Sequence, residues 1–326
     1  MEHAVEIVGV TKTFGETRAV DDLHLAIRKG VTYGVIGPSG AGKTTVIRMI
    51  LSILFPDKGT LRVLGNKSAL EAKDRIGYLP EERGSYRKMR VNAFLQYLAG
   101  LKGVPPQEAD ARAKSMLERL DLGDAATKKC EDLSKGMLQR VQFIGAIINK
   151  PDLLILDEPF SGLDPVSVRV LRGVIEDEQR RGATVLFSTH VMANAEELCE
   201  QIVMIHKGRK VLDEPMAGLR RQFDTSTVRF EPLDASADVT VLKEVPGVVA
   251  VERGIEAWDI RLAKGAEPAE MIRAIAAKVA PARVEIARVR LEDVFIRIVG
   301  ESVGSGQSAQ ELRTHLQGLG TQGVAA

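Results

Sequence analysis

At 326 residues the chain exceeds one compact core, since domains run to about 100–200 residues, and it is expected to divide into two domains or a large domain plus an appendage. Apolar residues at 44% and charged residues at 27% describe an ordinary globular protein and exclude the disordered, fibrous and disulfide-built classes. Lys+Arg 45 against Asp+Glu 44 leaves a formal charge of +1, which excludes a broad basic footprint, so no nucleic-acid partner is expected.

Short strands are predicted at Val5–Val10, Arg18–Ile27 and Thr32–Ile36, the last running into Gly37. Helical spacing takes over at 43–54 and stops at the turn cluster Pro56–Gly59, before a strand at Thr60–Leu64. From Val91 to Lys150 the strand signal disappears, and helices are predicted at 91–102, 106–120 and 136–149. Continuous apolar runs at Leu153–Leu156 and Thr184–Phe187 suit parallel strands covered on both faces, with a helix at 165–181 between them and a further strand at Gln201–His206. A polar bridge follows through Asp213-Glu214-Pro215 and Arg220-Arg221. Strands are then predicted at 226–231, 239–243, 247–252 and 258–262, a helix at 267–279, a strand at 283–289, and a last helix or extended piece at Leu291–Val299. The Gly-, Ser- and Gln-rich stretch 301–326 is expected to be a flexible tail, with 309–317 its helical candidate.

Cys130 and Cys199 form neither a CxxC pair nor a zinc-type spacing with histidine, and read as buried or idle thiols of a reducing compartment. The longest apolar stretches, Val141–Ile148 and Leu153–Leu156, fall far short of the about 20 residues that span a bilayer. Glu2 and Glu6 stand where a secretory signal would be basic and then apolar, so the chain is expected in the cytosol.

Gly37-Pro38-Ser39-Gly40-Ala41-Gly42-Lys43-Thr44 fits G-x-x-x-x-G-K-[ST] at the junction between a predicted strand and a predicted helix, which is the context that pattern requires. The glycines let backbone N–H groups turn inward, and the helix N-terminus adds its positive end to the same phosphate site. This loop, with Thr45 following it, is the expected nucleotide cradle: Lys43 reaches the β and γ phosphates and Thr44 ligates Mg²⁺. Leu153-Leu-Ile-Leu-Asp157-Glu158 delivers two carboxylates at the end of an apolar strand, where open α/β sheets bind ligands. Asp157 is expected to hold Mg²⁺ through its water shell, and Glu158 to act as general base on a water in line with the γ phosphate. The fold class is therefore α/β: a P-loop NTPase core with an N-terminal antiparallel β subdomain and a helical insert at about 86–150, residues 1–222, followed by a small α+β accessory domain at 223–300.

Together with Ser161-Gly-Leu-Asp164, His190 after a strand, and Leu133-Ser-Lys-Gly-Met137 before a helix, these motifs occur in the order seen in ATP-binding subunits of ABC transporters. Residues 4–215 resemble that family, and the Leu133–Met137 segment separates it from other P-loop proteins. The resemblance implies ATP and Mg²⁺ as ligands, a homodimer closing head to tail over two ATPs, and a separate membrane-spanning subunit that the chain serves from the cytoplasmic face of the cell membrane. It makes Ser134 and Gly136 the cap on the partner's γ phosphate, although Lys135 and Met137 depart from the LSGGQ signature; the alternative is Ser134 as a plain N-cap. Glu81 takes the place of the family's metal-touching glutamine, and Glu81-Glu82-Arg83-Gly84 resembles a loop variant found in exporter subunits for sodium or drugs; the alternative is a solvated acidic loop. His190 is implied beside the γ phosphate, where a neutral imidazole donates to a phosphate oxygen and orients Glu158.

Asp164 is implied to cross to the partner subunit, against a simple turn ahead of Pro165. Phe14, in the loop between the first two strands, is implied to stack on adenine, against packing on its own domain. The loop after Pro80 and the helices from about 86 to 102 are the expected contact with the membrane subunit. Leu291-Glu-Asp-Val-Phe295 marks a weaker resemblance of the region after about 223 to the accessory domain of exporter subunits, read as regulatory or dimer-supporting, against simply stabilising the motor domain. A soluble ATPase of translation or DNA repair stays open as a second reading, though it calls for two cassettes, coiled-coil or zinc insertions, or basic arms, and the sequence shows one cassette, no heptads and balanced charge.

Overall fold

The computed structural model describes residues 2–81, 84, 86–222, 227–254, 257–263, 265–287 and 290–302. Among them two compact units separate: Met1–Met216 with the chain from Phe295 onward, and Ala217–Val294.

In the first unit β1 (His3–Phe14) and β2 (Thr17–Arg28) make a hairpin. β3 (Thr32–Ile36) leads through a loop into α1 (Lys43–Ile50), which is shorter than the predicted 43–54 because Leu51 caps it and Ser52 turns to φ 57. β4 (Lys58–Val63) returns antiparallel to β1, giving a three-stranded sheet of order β2-β1-β4. A 3-10 helix over Ala69–Arg75, capped by the Ser68 hydroxyl, precedes β5 (Ile76–Leu79). The helical insert holds α2 (Val91–Leu101), α3 (Pro106–Arg119) and α4 (Lys135–Ile147). The chain then alternates β6 (Leu153–Asp157), α5 (Pro165–Arg180), β7 (Thr184–Thr189), α6 (Met192–Leu198) and β8 (Gln201–His206), before β9 (Arg209–Pro215); α7 (Met216–Gln222) starts at the unit boundary and continues into the second unit.

The second sheet runs β5-β6-β7-β3-β8-β9, parallel except for β9. β3, β6 and β7 are buried along their whole length, as strands covered on both faces must be. At about 1.5–3 kcal/mol for each fully buried Leu, Ile or Phe side chain, these strands are an apolar anchor of the unit. Register then decides where chemistry lies. Leu79 pairs with Leu156, Asp157 with Ser188 and Ile36 with Thr189, so the residues after β5, β6, β7 and β3 all emerge at one carboxyl edge.

The polar bridge expected at Asp213-Glu214-Pro215 is instead the end of β9, paired with Gln201–Val203. An edge strand accepts polar residues, and Asp213 is held by Gln201 Nε2 at 3.1 Å and Lys210 Nζ at 2.8 Å. The unit boundary falls at Met216, ahead of the expected 222, because Met216 is buried and its N–H donates to the Glu200 carbonyl at 2.8 Å. The second boundary falls inside the last helix rather than at 300.

The second unit builds an antiparallel sheet of order β11-β12-β10-β13 from β10 (Thr227–Pro232), β11 (Val248–Arg253), β12 (Trp258–Leu262) and β13 (Pro281–Ile286). Val228, Phe230, Ile260 and Leu262 on one face pack with Met271 and Ile275 of α8 (Pro268–Lys278). The strand predicted at 239–243 is a 3-10 helix over Val239–Glu244, because Asp238 caps it through Thr240 N and because the buried pair Val239 and Leu242 is three residues apart rather than two. Arg288 and Val289 of the predicted strand 283–289 lie outside the described residues. α9 (Leu291–Ser302) ends the description, carrying Glu301 and Ser302, which the sequence had placed in the tail; 303–326, with the helical candidate at 309–317, lie outside it.

Candidate functional site

β3 ends at Ile36 on the carboxyl edge, and the chain has to turn there against two other strands. A Cβ on Gly37 (φ +151) would lie 2.2 Å from the Ile205 carbonyl oxygen, and one on Gly42 (φ +107) 2.4 Å from that of Ala19. No side chain fits either place, so both glycines are dictated by close backbone approach as well as by φ. Pro38 is half-buried, Ser39 and Gly40 exposed, Ala41 buried, and Thr44 and Thr45 half-buried at the start of α1. Gly42 caps α1 without a side-chain hydrogen bond, which leaves the amides of the first turn facing the loop. Lys43, only 8% exposed, curls back to donate to the carbonyls of Gly37 at 2.8 Å and Pro38 at 3.1 Å. Burial lowers its pKa, against the opposing pull of Glu158, Asp157 and Glu81.

Asp157, 2% exposed, accepts a hydrogen bond from the Ser188 hydroxyl through Oδ1, while its buried Oδ2 has no hydrogen-bond partner among the described residues. Burial raises its pKa, with a further push from Glu158; the Ser188 hydroxyl, Lys43 and Thr44 act on the same carboxylate in the other direction. Glu158 follows at φ 47, an unusual angle for a side-chain-bearing residue. Its Oε2 accepts from the Thr189 hydroxyl at 3.0 Å, and its Oε1 from His190 N at 2.8 Å and bonds His190 Nδ1 at 2.6 Å.

An ionised carboxylate only accepts, so Nδ1 carries the proton. With Nδ1–H facing Glu158, Nε2 donates only in the imidazolium, so orienting Glu158 and donating to phosphate at once calls for that form in place of the neutral imidazole expected from the sequence. The Glu158 bond raises the His190 pKa and favours that form. Glu81, exposed just past β5, has its pKa raised by partial burial of the carboxyl and by the charges of Asp157 and Glu158. Lys43, Thr44, Asp157, Glu158, His190 and Glu81 thus form one electrostatic group. Glu82 and Arg83 lie outside the described residues.

Ser134 and Gly136 form a second locus at the head of α4. Ser134 is its N-cap, with Oγ accepting from Met137 N at 3.2 Å, and a Cβ on Gly136 would lie 3.4 Å from Leu163 Cδ2. The start of α4 and the loop before Asp164 are therefore neighbours. Asp164 caps α5: Oδ1 accepts from Val166 N at 3.0 Å and Ser167 N at 2.9 Å, and Oδ2 from the Ser167 hydroxyl at 2.6 Å, bonds that lower its pKa. Phe14 is the last residue of β1 rather than part of the loop, because it still pairs with Thr17; its ring is 48% exposed and lies 5.6 Å from Lys12 Nζ. Lys12 and the Thr13 amide are both held by Asp57, each at 2.7 Å.

The sequence reading did not single out Ser188, Thr189 or Gln139. The two hydroxyls close an apolar strand, and the buried Gln139 bonds the Pro159 carbonyl from α4, tying that helix to the segment after Glu158. Hydroxyls ending a strand and an amide on an apolar helix face were the available signals.

A glycine loop between a central parallel strand and a helix, facing acidic strand ends, defines a P-loop nucleoside triphosphatase. Residues 20–161 match the family model described as "ABC transporter". The chain is 39% identical over 291 residues, 89% of its length and 97% of the relative, to the uncharacterized ABC transporter ATP-binding protein YhaQ of Bacillus subtilis (strain 168). It is 31% identical over 314 residues, 93% of its length and 99% of the relative, to the Nod factor export ATP-binding protein I of Paraburkholderia xenovorans (strain LB400). A solved ATP-binding subunit of an ABC transporter superposes with a TM-score of 0.63 at 28% identity, covering 68% of this chain and 93% of that one. The chain belongs to the ABC transporter family, as an ATP-binding, ATP-hydrolysing subunit.

Proposed function

We propose that this subunit works as a homodimer on the cytoplasmic face of a membrane and couples ATP hydrolysis to export through a separate membrane-spanning subunit. The observation that carries this reading is the register placing the Lys43 loop, Asp157, Glu158, Glu81 and His190 at one sheet edge. Lys43 and the first amides of α1 bind the β and γ phosphates. Asp157, whose Oδ2 has no hydrogen-bond partner among the described residues, and the Thr44 hydroxyl that acts on the same carboxylate are oxygen donors suited to Mg²⁺, with Glu81 a third oxygen source. Bound there, Mg²⁺ would neutralise charge on the triphosphate. Glu158, oriented by Thr189 and His190, takes the proton of the attacking water, a role worth about 10²–10⁴ in rate. His190 as imidazolium donates from Nε2 to the γ phosphate. Ser134 and Gly136 close over the γ phosphate of the partner's ATP, Asp164 aligns the loop that crosses to the partner, and Phe14 offers its ring to adenine.

Export is supported by the relative named for Nod factor export. No described helix is long and apolar enough to cross a membrane. A cleft of 520 Å³ between β5, α2 and α4, lined by Tyr78, Tyr86, Phe94, Leu98, Leu101 and Gln142, is the docking place for the membrane-spanning subunit. The second unit we take as regulatory or dimer-supporting. The test is Tyr86→Glu, at a ring 55% exposed. The variant is expected to hydrolyse ATP as the wild type does yet lose a multi-spanning protein that co-purifies with the wild type from detergent-solubilised membranes. Equal recovery would remove the cleft from this role, and wild-type capture of ribosomes or DNA instead would favour the soluble reading.

A further inference from the structure

The turn joining β8 to β9 forms the back wall of the phosphate loop. The Ile205 carbonyl covers Gly37 so closely that a Cβ there would lie at 2.2 Å. Gly208 N–H donates to the Ala41 carbonyl at 2.9 Å, and the Gly208 carbonyl accepts from Asp21 N at 2.9 Å. Between these two contacts sits His206. Its buried Nδ1 has no hydrogen-bond partner among the described residues, so packing rather than a polar bond at Nδ1 sets the ring's orientation. That packing comes from Phe295, 1% exposed, whose ring meets His206 edge to face with centroids 5.8 Å apart and an interplanar angle of 73°. Phe295 closes the Leu291-Glu-Asp-Val-Phe295 segment, and the chain from Phe295 onward belongs to the first unit.

We propose that Phe295 and His206 are positioning residues for the phosphate loop. The ring pair fixes the β8–β9 turn, and the turn fixes Gly37 and Ala41. Nucleotide affinity then depends on a residue of the last helix, far in sequence from the loop it serves. The proposal rests on the nucleotide site described above.

The test compares Phe295→Leu, His206→Ala and their double variant in the full chain, with Val299→Ala, a buried position on the same helix, as the packing control. A fluorescent ATP analogue gives Kd, and steady-state hydrolysis gives KM and kcat. Each single variant is expected to raise Kd and KM about fivefold to tenfold while kcat at saturating ATP moves less than about twofold, and the double variant should be no worse than the worse single one. Val299→Ala should lower Tm and leave Kd in place. Unchanged Kd in His206→Ala, additive losses in the double variant, or an equal loss in Val299→Ala overturns the proposal. His206 is half-buried, so His206→Ala decides the matter alone if Phe295→Leu does not fold. A wild-type chain that binds no ATP overturns the site assignment as well; wild-type binding with unmoved variants overturns only this proposal.

Discussion

Three carboxylates, Glu81, Asp157 and Glu158, crowd around Lys43 and His190, and the consequence is clearest at Glu81. Partial burial and the charges of Asp157 and Glu158 raise its pKa. Such a group takes up a proton on folding between its ordinary value of 4.5 and the raised one, so stability falls as pH rises through that window and the loss persists above it. Glu81→Gln is therefore expected to melt at a higher temperature than the wild type at pH 8 without nucleotide, with the two converging as pH falls below about 4.5. No difference at pH 8, or a gap that widens toward acid, would contradict the crowding. Asp157 and Glu158 were legible from the sequence, because a local motif carries them to the end of a short strand, and Glu81 through its place in the family resemblance. Their partners were not: Ser188 and Thr189 sit 31 residues from the carboxylates they bond, and only the β6–β7 register brings them together. The same register sets the His190 ring against Glu158.

Helix starts have two readings here, and the head of α4 separates them. The Ser134 hydroxyl caps the helix through Met137 N, and cap loss by itself costs about 1 kcal/mol. Ser134→Ala is expected to lose that stability and turnover together. Ser134→Asp retains a capping oxygen, so its melting temperature should match the wild type, but its carboxylate repels the partner's triphosphate and turnover should stay lost. Full hydrolysis by Ser134→Asp would reduce Ser134 to a cap. Elements with a clear apolar pattern were readable: α3 buries Ala109, Ala113 and Leu117 at helical spacing, and the short β6 is apolar up to Asp157. Two elements without such a pattern were not. α6 packs seven residues directly behind His190, and the turn over Val239–Glu244 has the β-branched composition of a strand until Asp238 caps it.

At the scale of the whole molecule, the chain splits its ATP machinery between two places. The group around Lys43 is proposed to bind and polarise, while Ser134, Gly136 and the loop ahead of Asp164 are neighbours at helix heads. The sequence exposes the short motifs from which each set is built, but the sheet register assembles them, and their meeting across a dimer is not written in one chain's contacts. A pair of chains closing over shared nucleotide is thus the claim on which the reading turns, and Glu158→Gln isolates it by keeping the phosphate loop while removing the base. Light scattering of the full-length Glu158→Gln protein with ATP and Mg²⁺ measures it most directly. The account predicts twice the mass of one chain with ATP and the mass of one chain with ADP or without nucleotide. A single-chain mass with ATP demonstrably bound would contradict it.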